Sequence, residues 1–363
     1  MKRAWRALAV ALFYVSVTTA CGGGGSDSGG TAPVKVAQTS PVFIAVAPSG
    51  KFVYTANLDS NNISVYTLNT ATGLLTAGTP AAAGAEPYSL AIDPLGKFAY
   101  AANSNSSNIS VYGINSATGA LTAGTAVAAG STPASLAIDP TGKFVYAANW
   151  DSSSISTYTI NTTTGALTAG TVAAAGTNPA SVVIAPSGKF AYAANWGSNN
   201  ISVYAINQTS GALTAGSTVT AGANPTSIAI DPTGKFLYAA NIGDHTISAF
   251  TLNAVTGALT AVSAVPVAAG TSPIAVAVHP LGRFAYAANW TSNNVSVYAL
   301  NAATGALTPV TVVPAGTNPA SLAIDPSGKF AYVANETDNT ISIYTINATT
   351  GSLIPASVLP SGG

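Results

Sequence analysis

Asp139-Pro140-Thr141-Gly142-Lys143-Phe144-Val145-Tyr146-Ala147-Ala148-Asn149 reads as a strand end, a tight turn and a second strand. Pro140 presets φ for the turn, and Gly142 takes the positive φ that closes it. Phe144 and Tyr146 then alternate with smaller residues, the period of a strand with two unlike faces. The stretch occurs seven times. Its turn glycines are Gly50, Gly96, Gly142, Gly188, Gly234, Gly282 and Gly328, spaced by 46 residues except for one gap of 48.

Working outward, each unit carries four strand-like segments. In the third unit these are Ser135 to Asp139, Lys143 to Asn149, Ser154 to Ile160 and Ala166 to about Ala174. The first two are joined by the Pro-x-Gly hairpin, the last two by Asn161-Thr162-Thr163-Thr164-Gly165, a Gly-closed turn whose pattern recurs in every unit. Four antiparallel strands in about 46 residues, seven times over, predict an all-β, seven-bladed β-propeller over residues 34–363. Its blades start at Pro41, Pro87, Pro133, Pro179, Pro225, Pro273 and Pro319. A parallel β-helix repeats at a shorter period and needs no two hairpins per unit.

The aromatic residues follow the same period. Seven of the 15 Tyr fall in the second strand of each unit, six in the third strand, and Phe250 fills the third-strand slot of unit five. Side chains repeated around a ring are packing between blades. Closure has two solutions: the C-terminal strand, Ser352 to Leu359, completes the last blade, or Pro33 to Gln38 adds to it. An unpaired edge is a liability, so one of them is expected to dock.

The N-terminus differs. Lys2, Arg3 and Arg6 precede an apolar run from Ala7 to Val17, and Thr18-Thr19-Ala20 precedes the single cysteine, Cys21. This is the layout of an export signal over residues 1–20. Cys21 resembles the lipidated first residue of a bacterial lipoprotein, and 21–33 reads as a Gly/Ser-rich tether. The expectation is an exported protein, lipid-anchored at the bacterial cell envelope and monomeric, with the anchor its only membrane contact. One cysteine allows no internal disulfide. Without the signal, 8 basic residues face 11 acidic ones, which argues against nucleic acid or an anionic membrane as a partner.

The strand Phe330-Ala331-Tyr332-Val333-Ala334-Asn335 and its six relatives resemble the YVTN-type propeller repeat. The Pro-x-Ser-Leu-Ala-Ile-Asp-Pro-x-Gly-Lys-Phe lead-in and the Thr-Gly-Ala-Leu-Thr segment are similar to the lactonase-type seven-bladed propellers. That resemblance covers residues 41–363. It implies the propeller fold, and by family example the hydrolysis of 6-phosphogluconolactone; its motifs are structural.

Alternating strand direction sorts the polar residues onto two faces. The hairpin face receives seven Lys or Arg and the turn residues Asp93, Asp139, Asp231, Asp325 and His279, the last expected at the surface. The loop face receives Asn57, Asn103, Asn149, Asn195, Asn241, Asn289 and Asn335, and no Lys or Arg. The position after that Asn varies, and Trp150, Trp196 and Trp290 occupy it in three blades. A partly exposed Trp set suits a sugar ring or a protein partner. The departures from the repeat are the functional candidates: Glu86, His245 and Glu336 as acid/base groups, and Tyr88, Asp244 and Asp338 with the three Trp as binding groups. No His/Cys/Asp cluster has metal spacing, and no cofactor is expected. The reading that follows is a non-catalytic module binding an envelope protein or glycan, with a lactone hydrolase resembling 6-phosphogluconolactonase as the alternative. The lack of cations on the loop face weighs against a phosphorylated substrate.

Overall fold

The computed structural model describes residues 39–263 and 266–362. The signal, Cys21, the tether and the Pro33 to Gln38 segment lie outside the described residues. Residues Ala37–Gly363 form one compact unit.

The chain is a seven-bladed β-propeller, each blade an antiparallel sheet built from consecutive strands. Blade three runs Pro133–Ile138, Phe144–Asn149, Ser154–Ile160 and Leu167–Ala174, from the axis outward. The first strands of successive blades pack side by side around the axis, Pro319–Ile324 against Pro41–Val46 completing the circle. The second strand is buried along its whole length in nearly every blade, while the outer strand is mostly exposed. In blades one, two and five the outer strand is broken into two short pieces, as at Leu75–Ala77 and Ala81–Ala82. Pro80, which has no N–H for the ladder, sits in that break in blade one.

There is no single core. Seven apolar clusters lie between blades, each made from both neighbours. The one between blades three and four joins Phe144, Tyr146, Ala148 and Ile155 to Val182, Ala193, Tyr204 and Ile206. The repeated residues also lock the blades by hydrogen bonds. Tyr146 Oη donates to Gly211 O of the next blade at 3.0 Å, and its six equivalents do the same, Tyr332 to Gly73 closing the ring. The same turn glycines hold φ near +75° with a phenylalanine ring of the preceding blade against them. A Cβ on Gly165 would lie 2.3 Å from Phe98 Cδ1. Gly165→Ala is therefore expected to cost about 2–5 kcal/mol, from the left-handed backbone and the overpacked ring together. Denaturant unfolding measures it, and a loss below about 1 kcal/mol would mean that the turn relaxes.

A second lock comes from the third strand. Tyr112, Tyr158, Tyr204, Tyr298 and Tyr344 donate to the outer strand of the preceding blade, as Tyr158 Oη does to Ala128 O at 2.9 Å. Phe250 has no hydroxyl to offer, and the equivalent acceptor is Thr220. Phe250→Tyr is expected to stabilise the ring by about 1 kcal/mol, read as a raised denaturant midpoint at unchanged slope.

Closure is by the C-terminal strand. Leu353–Pro360 pairs with Thr340–Ile346, so all four strands of blade seven are consecutive. Asn339 Oδ1 then accepts from the backbone N–H of Thr39 and Ser40, and Ser361 Oγ donates to Asn57 Oδ1.

Candidate active site

With the four strands of each blade lettered A to D from the axis outward, the loop face is assembled from the D–A loops that precede each leading proline and the B–C loops that follow each Asn. The seven Asn are fully buried. Asn149 Nδ2 donates to Ser154 Oγ and Ser156 Oγ, holding the loop that begins at Trp150. The following residues form a repeated brace. At one loop position Asn61, Asn199, Asn293 and Asn339 sit at φ of about +55° and accept from a backbone N–H of the next blade.

His245 occupies that position in blade five. It has φ 60°, it is exposed, and its Nδ1 accepts from Ser272 N at 3.1 Å. Asp244 and Asp338 occupy the position just before, where Ser106, Ser152, Ser198 and Ser292 sit in other blades. Asp244 Oδ2 accepts from Ala223 N and Asp338 Oδ2 from Thr317 N, as the serines do from their own D–A loops. Glu86 stands in a left-handed backbone slot, φ 56°, shared with Ser40, Thr132 and Asn178. Its N–H donates to Asn61 and its carbonyl accepts from Ser104 N. These four departures from the repeat keep the brace's acceptors and backbone shape; the structure does not gather Glu86, His245 and Glu336 into one cluster.

Glu336 is brought elsewhere. It follows Asn335, its backbone N–H held by Asn318 O, and it is partly buried. Its Oε2 accepts from Trp290 Nε1 of blade six at 3.1 Å. Tyr88 comes from blade two, at the β-bulge between Pro87 and Ser89 where the first strand gains an unpaired residue. Such a bulge re-aims a side chain. The Tyr88 hydroxyl is held well above its ordinary pKa, first by burial and then by the Glu336 charge. Blade one separates blades two and seven, so the Glu336 charge acts on Tyr88 past an intervening blade. Trp150 and Trp196 lie against each other in the next two blades, ring centroids 5.4 Å apart and tilted by 43°. Trp150 is 8% exposed, so the three tryptophans are not an evenly open set.

The loop face thus carries both aromatic side chains and carboxylates. Asp59, Glu86, Asp151, Asp244, Glu336 and Asp338 lie on this face, and no Lys or Arg does among the described residues. All seven described cations, from Lys51 to Lys329, project from the opposite hairpins and are exposed. No group of three or more His, Cys, Asp or Glu among the described residues is placed to hold a metal ion.

The sequence profile described as "Lactonase, 7-bladed beta-propeller" matches residues 30–134, 122–179, 169–274 and 262–359. The chain belongs to this lactonase propeller family. The solved structure of a putative 6-phosphogluconolactonase from Bacteroides fragilis is similar, with 26% identity and a TM-score of 0.76 over 83% of this chain and 91% of that one. Another from Bacteroides uniformis matches at 24% identity, TM-score 0.76, over 83% and 93%. The periplasmic gluconolactonase PpgL of Pseudomonas aeruginosa shares the fold at 19% identity, TM-score 0.73, over 83% and 92%. None of the curated proteins matches the chain in sequence.

Within this lactonase propeller two roles escaped the sequence. The C–D turn glycines looked like hairpin closers, yet they are blade-to-blade contacts. His279, expected at the surface, is 2% exposed. Its Nδ1 accepts from Leu281 N at 3.0 Å and its Nε2 meets Gly328 O of blade seven at 2.9 Å. Burial follows because the turn Asp it replaces is itself buried, with Asp139 Oδ1 accepting from Lys143 N and Phe144 N. The Trp290–Glu336–Tyr88 convergence had only a weak signal, three departures from a repeat in three different units.

Proposed function

We propose that the protein is a lactone hydrolase acting on an uncharged sugar lactone at the loop-face mouth. The observation that carries this is the Glu336 carboxylate, which accepts from Trp290 Nε1 and whose charge acts on the Tyr88 hydroxyl of blade two. In the reaction Glu336 takes a proton from water as its oxygen bonds to the acyl carbon. Tyr88 keeps its proton well past pH 10, so it donates to the carbonyl oxygen as negative charge develops there. The ring C–O bond then breaks, and the proton held by Glu336 passes to the departing ring oxygen. Trp196, partly exposed and backed by the buried Trp150, offers an apolar face to the sugar.

Family membership supports this reading over a non-catalytic envelope-binding module. The substrate is unphosphorylated in this reading because a phosphate group calls for Arg or Lys, and the loop face carries six carboxylates and, among the described residues, no cation. The same reading includes export by residues 1–20 and lipid anchoring at Cys21 in the envelope. The test is hydrolysis of glucono-1,5-lactone beside its 6-phospho derivative, each corrected for spontaneous opening. The expected kcat/KM is at least about tenfold higher for the unphosphorylated lactone, one unfavourable charge contact at the mouth. Preference for the phosphorylated lactone would reject the substrate assignment, and turnover of neither would reject the enzyme.

A further inference from the structure

The two faces of the ring carry opposite charge, and the hairpin face has a second property that the loop face lacks. Its cations are exposed, whereas the four turn aspartates beside them are 3–5% exposed and bonded to their own turns. Nine large apolar side chains are exposed among the described residues. Four stand on the hairpins of this face: Leu95 at 75%, Val255 at 86%, Leu281 at 65% and Leu74 at 45%. The other five are on outer strands, and none is on the loop face. The hairpin loops of neighbouring blades adjoin, with Leu95 and Lys97 of blade two lining one groove with Thr141 and Thr162 of blade three.

We propose that this rim docks on an anionic lipid bilayer, its Lys and Arg on the headgroups and its Leu and Val tips at the acyl boundary. Basic residues close to an anionic surface attract it additively, and apolar tips add burial that a soluble anion cannot supply. The charge balance of residues 37–363, ten carboxylates against seven cations, does not oppose this, because the carboxylates lie on the far face or inside turns. Repulsion of that far face fixes the orientation: the mouth points away from the membrane, open to substrate.

Residues 37–363, which contain every blade and both sides of the closure, serve for the test without the N-terminal segment. They are expected to float with phosphatidylglycerol–phosphatidylcholine vesicles and not with phosphatidylcholine alone, and to be released by about 0.5 M salt. Reversal at Lys97→Glu, Lys143→Glu, Arg283→Glu and Lys329→Glu is expected to weaken partitioning about a hundredfold or more. Leu95→Ser with Leu281→Ser is expected to weaken it about tenfold, with both variants keeping the parent's thermal midpoint. All three tryptophans of this segment are on the loop face, so lipid-borne quenchers should leave their fluorescence unchanged on binding. Equal binding to neutral vesicles, indifference to charge reversal, or quenched tryptophans would each overturn the proposal. So would capture by a soluble anionic polysaccharide without any vesicle binding.

Discussion

Raising the pH above 10 is expected to unfold the ring over about one pH unit. Tyr54, Tyr100, Tyr146, Tyr192, Tyr238, Tyr286 and Tyr332 are fully buried, and each donates its hydroxyl proton to a carbonyl of the next blade. Burial holds all seven well above the ordinary tyrosine pKa. In the unfolded chain they ionise near pH 10. Below that pH both states carry the protons and stability is full. Above it the unfolded state binds fewer protons than the folded one, so stability falls as pH rises. Each group contributes about 1.4 kcal/mol per pH unit, and seven together about 10, comparable with the whole stability of a typical protein. Circular dichroism and tyrosinate absorbance followed together are the check. Coincident, steep transitions are expected. Gradual tyrosinate formation with the strand signal intact would show that these hydroxyls ionise within the folded ring.

Glu336→Gln is expected to lower kcat for the uncharged lactone by about 10²–10⁴, the loss typical of a removed general base. The amide keeps an oxygen for Trp290 Nε1 and nearly the same shape, so the fold and KM are expected to hold. Tyr88→Phe is expected to cost about 10²-fold in kcat, as an oxyanion donor does. The pH profile separates a chemical role from a structural one. With Tyr88 present, the rate is expected not to fall through ionisation of that tyrosine up to pH 10, because its proton is retained there. Unchanged kcat in Glu336→Gln, with hydrolysis persisting, would move the chemistry away from the mouth.

Much of the fold was legible because a repeat reports its own geometry. Pro140 and Gly142 mark the hairpin, and Phe144 and Tyr146 the strand, by local pattern alone. The locks between blades were not legible. Gly165 and Gly211 looked like turn residues only, because a close approach between chain segments 65 residues apart leaves no local pattern; Tyr100 and Tyr146 reach those glycines over that separation. His279 was misplaced for a related reason. A polar residue at a turn tip suggests solvent, but here the neighbouring blade covers it with Gly328.

The candidate site shows the same division. The sequence by itself determined seven equivalent blades, their two faces, and which residues break the repeat, since each of these is a property of spacing and strand direction. Only the tertiary structure decided which departures stay within the loop brace. His245, Asp244 and Asp338 turned out to be substitutes within a brace, accepting the same backbone hydrogen bonds as the Asn and Ser they replace. Trp290 and Glu336 meet across consecutive blades, and the Glu336 charge reaches Tyr88 of blade two only because the ring closes. Spacing along a chain fixes the period of a ring, but which side chains face one another across its axis depends on closure and on rotamers, and neither is a local property of the sequence.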